Sequence, residues 1–350
     1  MTKKRKQKTK FGFCAPIFAN PGMLFFRTPA YKKLDWKTLE KMTIRCEKLG
    51  YDSVFVADHL FLGKNGEIWE CLATMSALAA ITKRMEIVPI HLCNNFRSPG
   101  VTAKALATIS HISNGRVILF YDYGWRRTEF DSYGIPFGKT DDERAARMEE
   151  GLRVITGLLG KDNFSFRGKY YTVENTICTP KPVGKIPVWM GEVNNRRMVR
   201  AIVRHADVFN SMPCSPEILR DKLNIIKTEC KKQKRAYRTL GISLETQVLI
   251  RKTQKEVEAA LRAYRKLLRY NNSHDKDILA QLEATSTNET DFRSPQNIKK
   301  EFLVGTPEDI REKINAYKKC GVGHFMLWFM DYPGITSVEL FAKEVAPYCR

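Results

Sequence analysis

Short apolar runs and amphipathic stretches alternate along most of this chain. Residues 10–18 (KFGFCAPIF) read as a first strand. Trp36–Leu49 follows as a helix, with Leu39, Met42, Cys46 and Leu49 on one face and Gly50 at its C-terminal cap. Asp52–Ala57 is the second strand and Trp69–Ile81 the second helix. Arg84–Leu92, Pro99–Ile112, Gly115–Tyr121 and Asp141–Leu159 continue the alternation. An insert, FSFRGKYYTVENTICTPKP, reads as a short hairpin and an extended segment. The rhythm resumes with strand Pro187–Met190, a helix over 195–204, strand Ala206–Asn210, helix Pro216–Lys234 and strand Ile242–Ile250. The polar stretch Asn271–Asn297 predicts an excursion over one end of the domain. Helix Thr306–Cys320, strand 323–329 (GHFMLWF) and helix Ser337–Pro347 close the chain.

Most of these strands are apolar on both faces, the pattern of a parallel sheet covered by helices. An open doubly wound sheet is the competing architecture, but no GxGxxG follows the first strand. Eight strand–helix units fit a closed barrel, so the expected fold is α/β, a single (β/α)8 TIM barrel with insertions. It is expected to occupy residues 11–350, behind a disordered basic tail at 1–10.

Composition adjusts this picture in three places. The 350 residues, 43% of them hydrophobic, suffice for one large core. No apolar run approaches the ~20 residues that span a bilayer, and MTKKRKQKTK is followed by a Pro- and Gly-broken segment unlike a secretory signal. A soluble, cytoplasmic protein is expected. Nine cysteines lie dispersed, with no CxxC pair and no histidine spacing for zinc, which predicts packing roles in a reducing compartment and neither disulfides nor a metal. Of the net charge of +21, the first ten residues supply +6, leaving +15 on the rest. A basic balance suits anionic partners such as phosphate-bearing cofactors. No nucleic-acid module accompanies it, so no specific nucleic-acid partner is expected.

Barrel enzymes place chemistry at the C-terminal ends of their strands. That rule selects Pro16 and Ile17; Asp58 and His59; His91, Cys93 and Asn94; and Asp122 to Trp125. It adds Gly191 to Arg196, Asn210, Ser211, Trp328, Phe329 and Asp331. The set lacks the paired carboxylates of a glycosidase and a metal cage. It suits a flat aromatic cofactor on apolar surface with its phosphate at a helix N-terminus.

These segments bring in a resemblance. LGYDSVFVADHLF (49–61), the run from His91 to Phe137, FRGKYYTVENTICTPKPVGKIPVWMGE (166–192), RHADVFNSMPCSPE (204–217) and 304–345 resemble the bacterial-luciferase-like flavin- and deazaflavin-dependent oxidoreductases. The likeness runs in order from Lys10 onward, thinning over 235–300. It implies a cofactor, either FMN, reduced by a partner reductase and used for monooxygenation on paired donors, or the deazaflavin coenzyme F-420, used for hydride transfer. It also implies a small organic substrate and a homodimer.

Residue by residue, the resemblance places a cis peptide at Ile90–His91 against the cofactor ring. It gives Asp58 a hydrogen bond to the cofactor and His59 the catalytic proton transfer, which an imidazole suits because it changes charge near neutral pH. His91 reads equally as ring contact or core histidine, and Asn94 as an amide matching the ring's polar edge. Gly124 borders the cofactor. Trp125 either walls the substrate pocket or packs under its loop, and Trp328 is a second pocket wall. Gly191, Asn194 and Asn195 fall where relatives bind phosphate, although GEVNNRRMV departs from a Gly/Ser-rich loop. Arg196 and Arg197 read as phosphate ligands or as surface charge. The sugar-phosphate dehydrogenases of the deazaflavin branch carry a carboxylate near Trp125, and its absence argues against that activity. The alternative function is a non-catalytic flavin-binding or partner subunit on the same barrel.

Overall fold

The computed structural model describes residues 8–19, 28–62, 66–193, 195–271 and 295–350. Among these residues there are twelve strands, most of them separated by helices. They are β1 (Lys10–Ala15), β2 (Ser53–Ala57), β3 (Glu86–Ile90), β4 (Leu92–Cys93), β5 (Leu119–Asp122), β6 (Phe164–Arg167) and β7 (Thr172–Thr176). Then follow β8 (Val188–Met190), β9 (Val208–Ser211), β10 (Gly241–Ile250), β11 (Leu303–Gly305) and β12 (His324–Phe329). The helices are α1 (Trp36–Lys48), α2 (Cys71–Ile81), α3 (Pro99–Ile112), α4 (Arg127–Ser132), α5 (Asp141–Gly160) and α6 (Arg196–His205). They continue with α7 (Pro216–Lys232), α8 (Gln254–Asn271), α9 (Pro295–Glu301), α10 (Pro307–Cys320), α11 (Thr336–Glu344) and α12 (Ala346–Cys349).

The main sheet is parallel and runs β3-β2-β1-β12-β10-β9-β8-β5-β4, with β11 added beside β10. Strands β3 and β4 are one barrel position broken at His91, so eight positions encircle the lumen. A parallel bridge between Ile87 and Val117 brings the two ends of this path together. The barrel is nearly closed, and the (β/α)8 expectation holds. The hairpin is β6–β7, as the insert predicted.

Alternation along each strand sorts side chains into two layers. In β12, Phe325 and Phe329 turn outward onto Phe11, Tyr51 and Phe341. His324 turns inward, meeting Phe55 of β2 and Trp189 of β8 from opposite sides of the barrel. Such cross-lumen contacts mean the interior is filled by side chains and is not a pore. Eight of the nine cysteines are buried, in keeping with packing roles.

Three details differ from the sequence expectation. Thr9 is buried and Lys10 opens β1, so part of the barrel lies inside the segment assigned to the tail. Residues 254–271 form α8, whose Val257, Leu261 and Tyr264 cover Leu249 and Met330 as a small separate cluster. The short helix α4 interrupts what read as a loop. Most of the predicted excursion at 271–297, the start of the Phe25–Tyr31 segment and Asn194 lie outside the described residues. Among the described residues no helix is long and apolar enough to cross a membrane.

Candidate active site

At the C-terminal end of the barrel a small cleft is lined by Asp58, His59, His91, Cys93, Phe96, Asp122, Gly124, Trp125 and Glu129. These residues come from three neighbouring barrel positions, β2, β3/β4 and β5. Seven of the strand-end candidates, Asp58, His59, His91, Cys93, Asp122, Gly124 and Trp125, therefore converge. Gly124 adopts a φ of +76°, and a Cβ there would sit 2.6 Å from Cys93 Sγ. Glycine is thus required for the β5 loop to lie against β4.

His59 follows β2 directly. Its Nδ1 lies 2.9 Å from Glu129 Oε2, and its ring meets Trp125 edge-on at 5.7 Å. Glu129 is fully buried and also accepts hydrogen bonds from the backbone amides of Leu60 (2.9 Å) and Phe61 (3.3 Å). A carboxylate held by three donors is fixed in place. Because it can only accept, it assigns the hydrogen to Nδ1 and leaves Nε2 as the atom able to take or give a proton. The sequence reading missed Glu129. Its signal is a carboxylate four residues after Trp125, which gains meaning only once α4 turns it back toward the β2 loop.

A second histidine–carboxylate pair faces the same cleft. His91 packs edge-on against Phe120, centroids 4.1 Å apart, and its Nδ1 is 3.7 Å from Asp122 Oδ2. The Ile90–His91 peptide is cis, as expected. Burial pushes the Asp122 carboxyl up to about 7, partly opposed by the Tyr123 amide and Arg144 and reinforced by Glu192. Near neutrality this group offers a donor and an acceptor at once.

Asp58 also borders the cleft, but its oxygens are already engaged. Arg97 grips it in a fork, Nη1 to Oδ2 at 2.8 Å and Nη2 to Oδ1 at 2.7 Å, and the Cys93 amide donates to Oδ2 at 2.8 Å. Asp58 ties the β2 loop to β4, where a direct cofactor bond was expected.

Two further candidates lie away from the cleft. Asn94 does not line the cleft. It is buried beneath α5, where Tyr121 donates to its Oδ1 at 2.6 Å and its Nδ2 donates to Tyr171 at 2.9 Å. An amide so fully paired packs one wall of the fold. Trp328 is fully buried in the lumen, beside Phe18 and donating to Glu245 at 2.7 Å. Its inward position on β12 carries it to the barrel interior and not into the cleft.

The predicted phosphate region is a separate place. Gly191 is pressed onto β9: a Cβ would lie 2.4 Å from the Asn210 carbonyl oxygen. Asn195 is the N-cap of α6, accepting from the Met198 amide at 2.8 Å, and its Nδ2 is 3.4 Å from the Tyr123 hydroxyl. Arg197 pairs with Asp142 at 3.0 Å, while Arg196 is exposed.

A parallel barrel with paired histidines and carboxylates at the strand C-termini has the form of an enzyme of the α/β-barrel class. The model of the luciferase-like monooxygenase family matches residues 10–324, and the chain belongs to that family. The FMNH(2)-dependent dimethylsulfone monooxygenase of Pseudomonas fluorescens (strain Pf0-1) is 27% identical, with 99% of this chain and 95% of that protein covered. The F420-dependent glucose-6-phosphate dehydrogenase of Microbacterium testaceum (strain StLB037) is 25% identical, covering 88% and 91%. Among solved structures, a long-chain alkane monooxygenase superposes with a TM-score of 0.77 at 17% identity, over 99% of this chain and 91% of that one. An F420-dependent secondary alcohol dehydrogenase in complex with an F420-acetone adduct gives 0.76 at 19%, over 98% and 99%. At such identities the structural likeness speaks for the fold.

Proposed function

We propose that this chain is a flavin- or deazaflavin-dependent oxidoreductase acting on a small organic substrate, with His59 as its proton-handling residue. The observation that carries the reading is the His59–Glu129 pair, set in a cleft of the barrel mouth. The donor set of that cleft fits a flat heteroaromatic ring. Trp125 and Phe96 give apolar faces, Gly124 and Cys93 leave close approach open, and His91 with Asp122 offers both donors and acceptors for a polar edge. His91, Cys93, Gly124 and Trp125 are the residues that would hold the ring. When bound, such a ring supplies the two-electron chemistry, as a reduced flavin that activates oxygen or as a deazaflavin that exchanges hydride.

The protein's own part is to orient, enclose and move a proton. Glu129 turns the His59 ring and fixes its hydrogen on Nδ1, so that Nε2 can act toward substrate. Trp125 packs edge-on against the His59 ring. The flavin version brings with it a reductase partner that supplies reduced cofactor. Relatives of both the FMNH(2) and the F420 kind support the shared core of this reading.

Replacing Glu129 with Gln keeps the shape of the side chain and removes the acceptor that sets the imidazole. With the ring-loaded, reduced protein, Glu129→Gln and His59→Ala are each expected to slow electron delivery to oxygen or to an organic acceptor by about 100-fold or more. Ring affinity should change by no more than about threefold, since neither group carries the ring. Unchanged turnover in both variants would make the pair a loop fastener.

A further inference from the structure

The loop leaving β8 holds a charged feature separate from the His59 cleft. Gly191 brings this loop against β9, and the next residue, Glu192, turns its side chain toward α7. There Glu192 Oε2 lies 2.6 Å from Lys222 Nζ, with the two side chains only 19% and 13% exposed. The same ammonium donates to Ser211 Oγ, at the end of β9, at 3.3 Å. The second oxygen, Glu192 Oε1, is buried without a hydrogen-bond partner. Glu192 is also one of the charges that raise Asp122, so its field reaches the cleft.

Lys222 is the kind of donor that holds a phosphate group, whereas the Ser211 hydroxyl beside it is fully buried and donates to the Met212 carbonyl oxygen at 2.9 Å. Here the chain's own carboxylate has taken the lysine. At the start of α6 the Asn195 side chain caps the helix and Arg197 holds Asp142, while Arg196 is exposed. A dianion brought to Lys222 would meet Glu192 at short range in a partly buried setting, where like charges are poorly screened. Drawing Lys222 away would leave Glu192 buried and unpaired.

We propose that Glu192 is a specificity residue that fills the phosphate-holding corner of the barrel mouth, so that the site accepts a phosphate-free flavin or deazaflavin as readily as the phosphorylated form. The inference rests on the flavin or deazaflavin reading above. It differs in its consequence, since it concerns which form of the ring compound is selected.

The test uses the full chain at low salt, titrated separately with riboflavin and FMN, and with the phosphate-free deazaflavin nucleoside and its phosphorylated coenzyme, following ring fluorescence. For the pair that binds, the two dissociation constants are expected to agree within about fivefold. Glu192→Gln, which keeps shape but removes charge, should tighten the phosphorylated form about tenfold or more while leaving the phosphate-free form within about twofold. A parent protein preferring the phosphorylated form by more than about fivefold overturns the proposal. So does a folded Glu192→Gln that leaves the ratio unchanged. The comparison in the parent protein needs no variant, so a misfolded Glu192→Gln does not blunt it. Binding of none of the four compounds would remove the cofactor reading itself, a result distinct from a phosphate preference.

Discussion

Arg97→Met should lower the unfolding free energy by about 3–5 kcal/mol, the largest single loss expected at this site. The side chains of Arg97 and Asp58 are 15% and 1% exposed. Methionine keeps much of the arginine's apolar stem but withdraws both donors from the fork, leaving a buried carboxylate with the Cys93 amide as its remaining bond. Arg97 also reaches Glu70, the N-cap of α2, so the variant loosens the start of that helix as well. Urea denaturation with the slope held fixed measures the loss. A loss below about 1 kcal/mol would mean that water enters and solvates Asp58, and that the cleft floor is wetter than the packing implies. The double variant Arg97→Met/Asp58→Asn removes the unpaired charge and should recover part of the loss.

The second large effect concerns pH. His324 sits in the lumen against Ser53, Phe55 and Trp189, and burial, helped by Lys10, lowers it to about 3. The unfolded chain therefore binds this proton more readily than the folded one. Stability is lost as pH falls from about 6.5 toward 3, up to about 4–5 kcal/mol in all. Asp122 works in the opposite sense. Its folded carboxyl holds a proton up to about pH 7, so its contribution is full below about pH 4 and fades as pH rises to 7. In the parent protein the two slopes largely cancel between pH 4.5 and 6.5. Asp122→Asn removes one of them and is expected to unmask an acid loss of about 3 kcal/mol over that interval. Adding His324→Gln should flatten it again. Denaturation midpoints of the three proteins at pH 4.5 and 6.5 decide the matter, and equal slopes in all three would contradict both assignments.

Much of the barrel was legible because strand and helix periods are local properties. Pro99–Ile112 matches α3 end to end, since Pro at the first turn and the apolar face of Ala103, Leu106 and Ile109 both mark it. The rule that strand C-termini carry chemistry picked out His59, His91, Gly124 and Trp125, which line one cleft. What stayed hidden depends on tertiary direction. Trp328 ends a strand, as the others do, but its parity with His324 sends it into a lumen already walled by Phe18 and Glu245. Asn94 looked like a ligand because an amide there could face either way, and the hydroxyls of Tyr121 and Tyr171 draw it under α5. Glu129 lies 70 residues from His59, in a helix too short for periodicity to announce. The α8 stripe of Val257, Leu261 and Tyr264 was readable in principle, but the charged residues between them masked it.

Ring binding at the His59 cleft is the central requirement of a redox role. The measurement is fluorescence titration of the purified full-length chain with FMN and, separately, with the deazaflavin coenzyme, each repeated on Trp125→Ala. Saturable binding of at least one ring is expected, weakened about tenfold or more by loss of the Trp125 face. Saturable binding that Trp125→Ala leaves unchanged would place the ring elsewhere on the barrel, and no binding of either compound would contradict the redox assignment.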